Sequence, residues 1–302
     1  MPAQSPNQSP NQLPNYPITR LPDSRAPAAI GRSARLELVF EARHSRTILA
    51  HAYAEPPFRV GRAFELGDAA YVIVVCSGPG IFAGDSLRQS VRIGSGARVV
   101  LTSQSALQVH PSADSSCAAP AVLHHTYAVA QDAELHCHWD PVIPFAASRL
   151  DQRFDIQIAE SSRLYWSDAV MAGRVCRGEA WRFASLAHEL RLRVGAPLAY
   201  LERYTVAPAD RALQRPWLAG EACYLATSLV RHPDVTIDRV EALHRHVAEL
   251  SGVDSGVDLV AAKLAVARFM ARDGASFGRV RTSYRAMALR WIFGGLELVA
   301  RK

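Results

Sequence analysis

Three kinds of side chain in this 302-residue sequence invite a chemical reading: a serine after a glycine-rich turn, clustered histidines, and carboxylates beside apolar runs. Gly84-Asp85-Ser86-Leu87 spells a signature in which the serine is an esterase nucleophile. That chemistry needs an imidazole base and an oxyanion donor aimed at the same reacting carbonyl. The base usually stands in an Asp-x-x-His, and no Asp lies three residues before any His here. The usual donor is Asn, which occurs only at Asn7, Asn11 and Asn15. The surroundings therefore argue against ester hydrolysis at Ser86. Gly78, Gly80 and Gly84 approach a dinucleotide fingerprint, but the last spacing is one residue too long. No helical pattern follows to present its N-terminus to a pyrophosphate. The segment reads as a tight turn between buried strands.

His136-Cys137-His138 places two imidazoles on one face of a strand, with His124-His125 upstream. Such a pair could chelate zinc, copper or nickel, though a third ligand at short spacing is missing. His244 and His246, two apart on a helical pattern, face different directions. Three carboxylates stand in less ordinary places. Asp85 follows the glycine-rich turn, Asp168 follows Tyr165-Trp166, and Glu202 lies between an apolar stretch and Arg203-Tyr204. A carboxylate beside a buried strand requires a partner, a shifted pKa or a cation.

The elements that must carry these residues are mostly strands. Residues 35–40 and 47–53 alternate apolar and polar, and residues 71–76 form a continuous apolar run bounded by Gly and Pro. A faint repeat follows, in which strand, three-residue polar turn and strand recur with equivalent points at Ile93, Val129 and Ile158. Three such units predict stacked hairpins or coils that share one core. Further strands are expected over residues 181–194 and 198–206. Helical spacing appears late: Val240, Leu243, Val247 and Leu250 share a face behind a possible N-cap at Asp238, and a second helix is expected over 278–292. Residues 263–270 suit either strand or helix. The fold class is mainly β, in a stacked-strand, helical-β architecture with a few C-terminal α-helices. The missing βα alternation excludes a doubly wound fold.

Residues 1–33 hold seven prolines with Gln, Ser and Asn and no apolar period, which predicts a disordered leader ahead of a single domain over 34–302. The net charge of +6 comes from 34 basic and 28 acidic residues interleaved along the chain, without the clustered charge and aromatics of a nucleic-acid binder. No apolar run is long enough to span a bilayer, and no secretory signal opens the chain. The five cysteines, Cys76, Cys117, Cys137, Cys176 and Cys223, form no CxxC pair, which fits a reducing, cytoplasmic compartment.

Taken in order, several segments resemble the urease accessory protein UreD family, called UreH in some organisms. Gly80-Ile-Phe-Ala-Gly84-Asp85-Ser-Leu87 is similar to the family's G-G-x-V-G-G-D-x-L turn, with Pro79 and Ala83 replacing two of its glycines. Gly96-Ala-Arg-Val-Val-Leu-Thr102 resembles its G-A-x-x-x-L-T, and Pro141-Val-Ile-Pro-Phe145 its P-x-x-P-F. Trp166 through Gly173-Arg174, with Gly178-Glu179, resembles its W-x-x-x-x-x-G-R…G-E stretch, and Arg215-Pro216-Trp217 a further short element. After Thr102 the family's A-x-K-x-Y-R has no counterpart, since Leu107 and Gln108 stand in a segment without either basic residue.

The resemblance implies a non-enzymatic protein of mostly-β, helical-β fold that binds UreF, through it joins the GTPase UreG, and docks on apo-urease to help deliver nickel. It further implies no tightly bound cofactor, Ni²⁺ in transit through an internal channel, and Asp85, Asp168 and Glu202 as acidic residues along that route. Sparse oxygen ligands suit a moving cation, because they offset its lost hydration without the grip of a closed His/Cys site. The competing expectation is a stand-alone, His-rich nickel- or zinc-binding protein built on His136 and His138.

Overall fold

The computed structural model describes residues 31–112, 119–216 and 218–293. Most of the expected leader (1–30), together with Cys117 and Trp217, lies outside the described residues. Arg32 and Ser33, at the leader's expected end, are in the folded body: Ser33 opens the first strand, and Ser86 N donates to Arg32 O at 2.7 Å.

The described chain is mainly β, with a 7-stranded and an 11-stranded sheet packed face to face and two α-helices late in sequence. Burial separates the two sheets as the sequence pattern does. In the first sheet, Ser86–Ile93, Arg149–Ile158 and Ser185–Val194 bury alternate residues, because only one face meets the core. In the second, Arg98–Ser103, Arg163–Met171 and Leu264–Ala271 are buried almost throughout. Its inner face contributes Val99, Leu101, Leu135, Leu164 and Trp166 to the core between the sheets. Its outer face contributes Val100, Tyr165, Val230 and Phe269 to a second core under the helices. The continuous apolar runs exist because both faces are covered.

The threefold repeat forms coils, and the hairpin form of that expectation is wrong. In each unit the first strand lies in the first sheet and the second strand in the other. Ser86–Ile93, Ala121–Val129 and Arg149–Ile158 pair with one another in parallel. Arg98–Ser103, Glu134–His138 and Arg163–Met171 do likewise. Hairpin arms would be antiparallel neighbours in one sheet. Each connecting turn closes with the same backbone bond: Ala97 N to Gly94 O, Ala133 N to Ala130 O, and Ser162 N to Ala159 O. The turns also stack, with Ala130 N donating to Ile93 O and Ala159 N to Val129 O. A short third side comes from Leu107–Val109 and Val142–Pro144, again parallel. Antiparallel hairpins end the stack of the first sheet at both edges, Ser33–Arg43 with Arg46–Ala54 and Ser185–Val194 with Leu198–Val206.

Other expectations shift in detail. The strand expected from 181 begins at Ser185, because Trp181 has φ 58° and cannot lie in a strand. Residues 263–270 are strand, Leu264–Ala271, fixed by antiparallel partners on both sides. Helix α1 (Ile237–Ala248) buries Val240, Leu243 and Val247, but its N-cap is Thr236, whose hydroxyl accepts from Arg239 N; Asp238 lies in the first turn. Helix α2 (Gly274–Trp291) starts ahead of residue 278, capped by Asp273, which accepts from Ala275 N and Ser276 N. Gly274, Ser276 and Gly278 weaken the helical pattern there, and the cap restores it.

Candidate functional site: two cavities that meet at Asp168

The space between the sheets is not filled evenly. Along the first sheet's inner face the apolar alternation is interrupted once in each of four strands. Gln89 lies between Leu87 and Val91, His125 between Leu123 and Tyr127, Gln152 between Leu150 and Phe154, and His188 between Leu186 and Leu190. Parallel pairing turns these interruptions into rungs, with Gln89 opposite His125 and Gln152 opposite His188. The result is a polar strip inside an otherwise apolar sandwich. Gln89 Nε2 donates to the Tyr127 hydroxyl at 2.9 Å, and that hydroxyl lies 3.2 Å from His125 Nδ1. Burial, then the neighbouring His124, pushes the His125 pKa down to about 3, so the ring is neutral at physiological pH.

A cavity of about 150 Å³ follows this strip, lined by Gln89, His125, Gln152 and Asp168 and reaching Gly78, Pro79 and Gly80 of the glycine-rich turn. A second cavity, of about 360 Å³, is lined by Asp168, Glu202, Thr227, Asp254 and Arg268 near the other end of the sandwich. Asp168 lines both. It sits in Arg163–Met171, where alternation turns Trp166, Asp168 and Val170 toward the space between the sheets. Trp166 Nε1 donates to Asp168 Oδ1 at 2.9 Å. Burial raises the Asp168 pKa, an effect opposed by His188 and reinforced by Glu202.

Glu202 closes the space at the sheet edge. Its carboxylate accepts from the Tyr200 hydroxyl at 2.6 Å and from Thr227 Oγ1 at 3.1 Å, and Arg268 lies 3.6 Å away. Thr227 is the register partner of Asp168, so the tertiary structure brings these two acids onto adjoining positions. Asp85 is placed differently. It is 3 % exposed and lines neither cavity; its oxygens accept from Arg32 N at 2.7 Å and Phe82 N at 2.9 Å. It staples the turn whose Gly80 edge reaches the first cavity.

The histidines take other work. His136 Nε2 lies 2.6 Å from Glu134, which also meets Arg98 at 3.1 Å and Arg163 at 3.4 Å. The His136 ring packs between Tyr165 and Phe293, beneath the helices. Burial lowers the His136 pKa, with Glu134 opposing; burial also works to raise the Glu134 pKa, but His136 and then Arg98 hold it down to about 2. His138 does lie on the same side, over Tyr165, but no group of three or more His, Cys, Asp or Glu is placed to hold a metal among the described residues. His244 Nδ1 accepts from Val257 N, and His246 bonds Ser283. Ser86 enters the first strand of the first coil, paired with Ser33 and Val122. No helix among the described residues is long and apolar enough to cross a membrane.

The profile of the UreD urease accessory protein family matches residues 32–301. The chain belongs to the UreD family. A urease accessory protein UreD of Deinococcus radiodurans is 28% identical over 280 residues, covering 91% of this chain and 98% of that one. One from Lysinibacillus sphaericus is 26% identical over 249 residues, covering 82% and 92%. One from Sorangium cellulosum is 33% identical over 205 residues, covering 67% and 63%. The family match thus spans the coils, the closing hairpins and both helices, and with them every residue lining the two cavities. The family that the short motifs resemble is the one matched, and the urease accessory role belongs to that family.

Gln89, His125, Gln152 and His188 carry a signal in the sequence itself. Each is a polar residue at an inward position of an alternating strand; the repeat aligns Gln89 with His125, whereas Gln152 lies one inward position away, opposite Leu123. Arg268 and Thr227 carry no such signal; pairing between distant strands alone brings them to Glu202.

Proposed function

We propose that this chain is a cytoplasmic, non-enzymatic scaffold in urease maturation. It docks homologues of UreF and UreG onto apo-urease and passes Ni²⁺, its cargo, through its interior. The observation that carries the reading is Asp168, a buried carboxylate that lines both cavities. The cation would enter along the polar strip, pass Asp168, and leave between Glu202 and Asp254, or run in the reverse direction. The walls offer amides, neutral imidazole and isolated carboxylates. These replace part of the hydration shell without forming a closed ligand cage, so residence stays short. Free cysteines at Cys76, Cys137, Cys176 and Cys223 are at home in a reducing compartment.

The test is co-expression with UreF and UreG homologues and apo-urease, reading nickel content and urease activity. Omitting this chain should leave urease largely unloaded. Asp168→Ala should lower nickel loading while the complex still co-purifies. Unimpaired loading by that variant removes the conduit, and unimpaired loading without the chain removes the maturation role.

A further inference from the structure

The conduit uses the inner face of the first sheet and leaves its outer face unexplained. Pairing sets the outward residues in rungs as it does the inward ones. One rung runs Arg35, Arg88, His124, Arg153, Glu189, Arg203 across six strands. Neighbouring strands lie about 4.8 Å apart, and like charges facing each other across them destabilise a sheet. The acids within reach do not balance this rung. Glu189 is shared by Arg153, Arg191 and Arg203 at 3.6, 2.6 and 2.5 Å. Asp155, on the next rung, accepts from Arg153 Nε at 2.7 Å and lies 2.9 Å from His124 Nε2. Arg88 is exposed and has no carboxylate partner among the described residues, and the same holds for Arg92 one turn of the alternation further on.

A groove of about 350 Å³ opens on this face between Arg92, Arg191 and Arg193, with Ser90, Thr126 and Gln157 beside them. Its one acid is Asp155, which Arg153 and His124 already engage. Arg193 meets the Ala196 carbonyl at 3.4 Å and no carboxylate among the described residues. The groove thus offers guanidinium, hydroxyl and amide donors, and a guanidinium fork matches a carboxylate. The four central strands, Ser86–Ile93, Ala121–Val129, Arg149–Ile158 and Ser185–Val194, turn no aromatic, Leu, Ile or Met side chain outward. A permanent interface would need an apolar centre, and a nucleic acid would need stacking aromatics and no central carboxylates. What fits is a folded acidic surface that docks quickly, in register, and leaves again.

We propose that the outer face of the first sheet is a docking face for a carboxylate-rich protein surface, and that this surface belongs to apo-urease. This rests on the maturation reading and names how the enzyme is held. Apo-urease becomes the product of the assembly and must be let go once loaded, which a charged contact permits and an apolar one resists. The edge strand Leu198–Val206 carries Arg203 on the outer face and Glu202 on the inner, where it lines the second cavity. A partner seated on the arginine rung therefore borders that cavity.

The experiment uses the full chain co-purified with its UreF and UreG homologues, with immobilised apo-urease as the probe, over a range of salt concentrations. Arg88→Glu combined with Arg92→Glu should slow association by about 10-fold or more at low salt and flatten its salt dependence, with the UreF and UreG homologues still bound. The melting temperature should stay equal or rise, because an acid then stands between Arg35 and His124. A matched reversal on the helices beyond the second sheet, Arg245→Glu with Arg290→Glu, should leave docking unchanged. Docking of the Arg88/Arg92 variant equal to the parent overturns this face. So does an equal loss in the helix variant, which would make net charge the cause, and so does loss of the UreF homologue in place of apo-urease. If the intact chain with its partners holds no apo-urease at any salt concentration, the maturation role itself is overturned.

Discussion

Asp85 and Asp168 are both buried acids, yet the backbone treats them oppositely. Asp85 satisfies two main-chain N–H groups, so Asp85→Ala strands both and should cost about 2–4 kcal/mol in chemical denaturation. Asp168 receives one indole N–H and pays desolvation in full, so Asp168→Asn should leave stability unchanged or raise it. The raised pKa of Asp168 also gives it a pH dependence. A carboxyl whose folded pKa is raised binds its proton more tightly in the native state, so its contribution to stability falls as pH rises from the unfolded value toward the folded one. The advantage of Asp168→Asn over the parent should therefore grow as pH rises above about 4 and level off beyond the folded pKa. Glu134 runs the other way. Burial alone would raise its pKa, but His136 and Arg98 hold it down. Its stabilisation is complete above the ordinary carboxylate range and is lost as pH falls through its lowered folded value, which Glu134→Gln should abolish in an acid-unfolding series.

At the scale of elements, the glycine-rich turn and the helix caps carry testable local energetics. Gly80 has φ 127°, and a Cβ there would overlap the Gln108 carbonyl oxygen. Gly80→Ala should therefore destabilise by several kcal/mol or displace the turn from the mouth of the first cavity, visible as lost amide protection at Ile81, whose N–H bonds Gln108 O. The cap of α2 is a milder case. Asp273→Ala removes acceptors for Ala275 N and Ser276 N and should lower the melting temperature by the few degrees that about 1 kcal/mol implies. A drop far beyond that would mean the helix end is held by the cap alone rather than by its packing on the second sheet.

Over the whole molecule, the parallel stack of coils creates a problem at its margins, because unpaired strand edges recruit other chains. The second sheet ends at Val253–Ala261, where Val253, Val257 and Leu259 are partly buried while Asp254 and Asp258 face outward. His244 accepts from Val257 N and Asp258 from Leu259 N, and together with the outward acids these bonds keep the edge from pairing with another copy. Replacing both Asp254 and Asp258 with Val should raise light scattering on concentration while leaving the circular dichroism of the monomer intact; scattering equal to the parent would remove this reading of the edge. Val253–Ala261 also flanks the second cavity, which Asp254 lines, so the edge and the proposed route share a border.

Hydrophobic periodicity alone determined that this chain is mainly β, that its repeat shares one core, and that its helices come late, because solvent exposure of one face or neither writes itself into alternation or continuous runs. Short motifs in order determined the family. Pairing decided the rest. Hairpin and coil share the same local pattern, and only the parallel alignment of strands about 30 residues apart, over the shared core, selects the coil. The same long-range alignment placed Asp168 beside Thr227 and Glu202, set Gln152 against His188, and left Asp85 tied to the backbone of its own turn and of Arg32. Sequence marks a carboxylate as unusual through its neighbours along the chain; whether it meets a cavity, a cation or a main-chain amide depends on neighbours across the sheets, which only folding supplies.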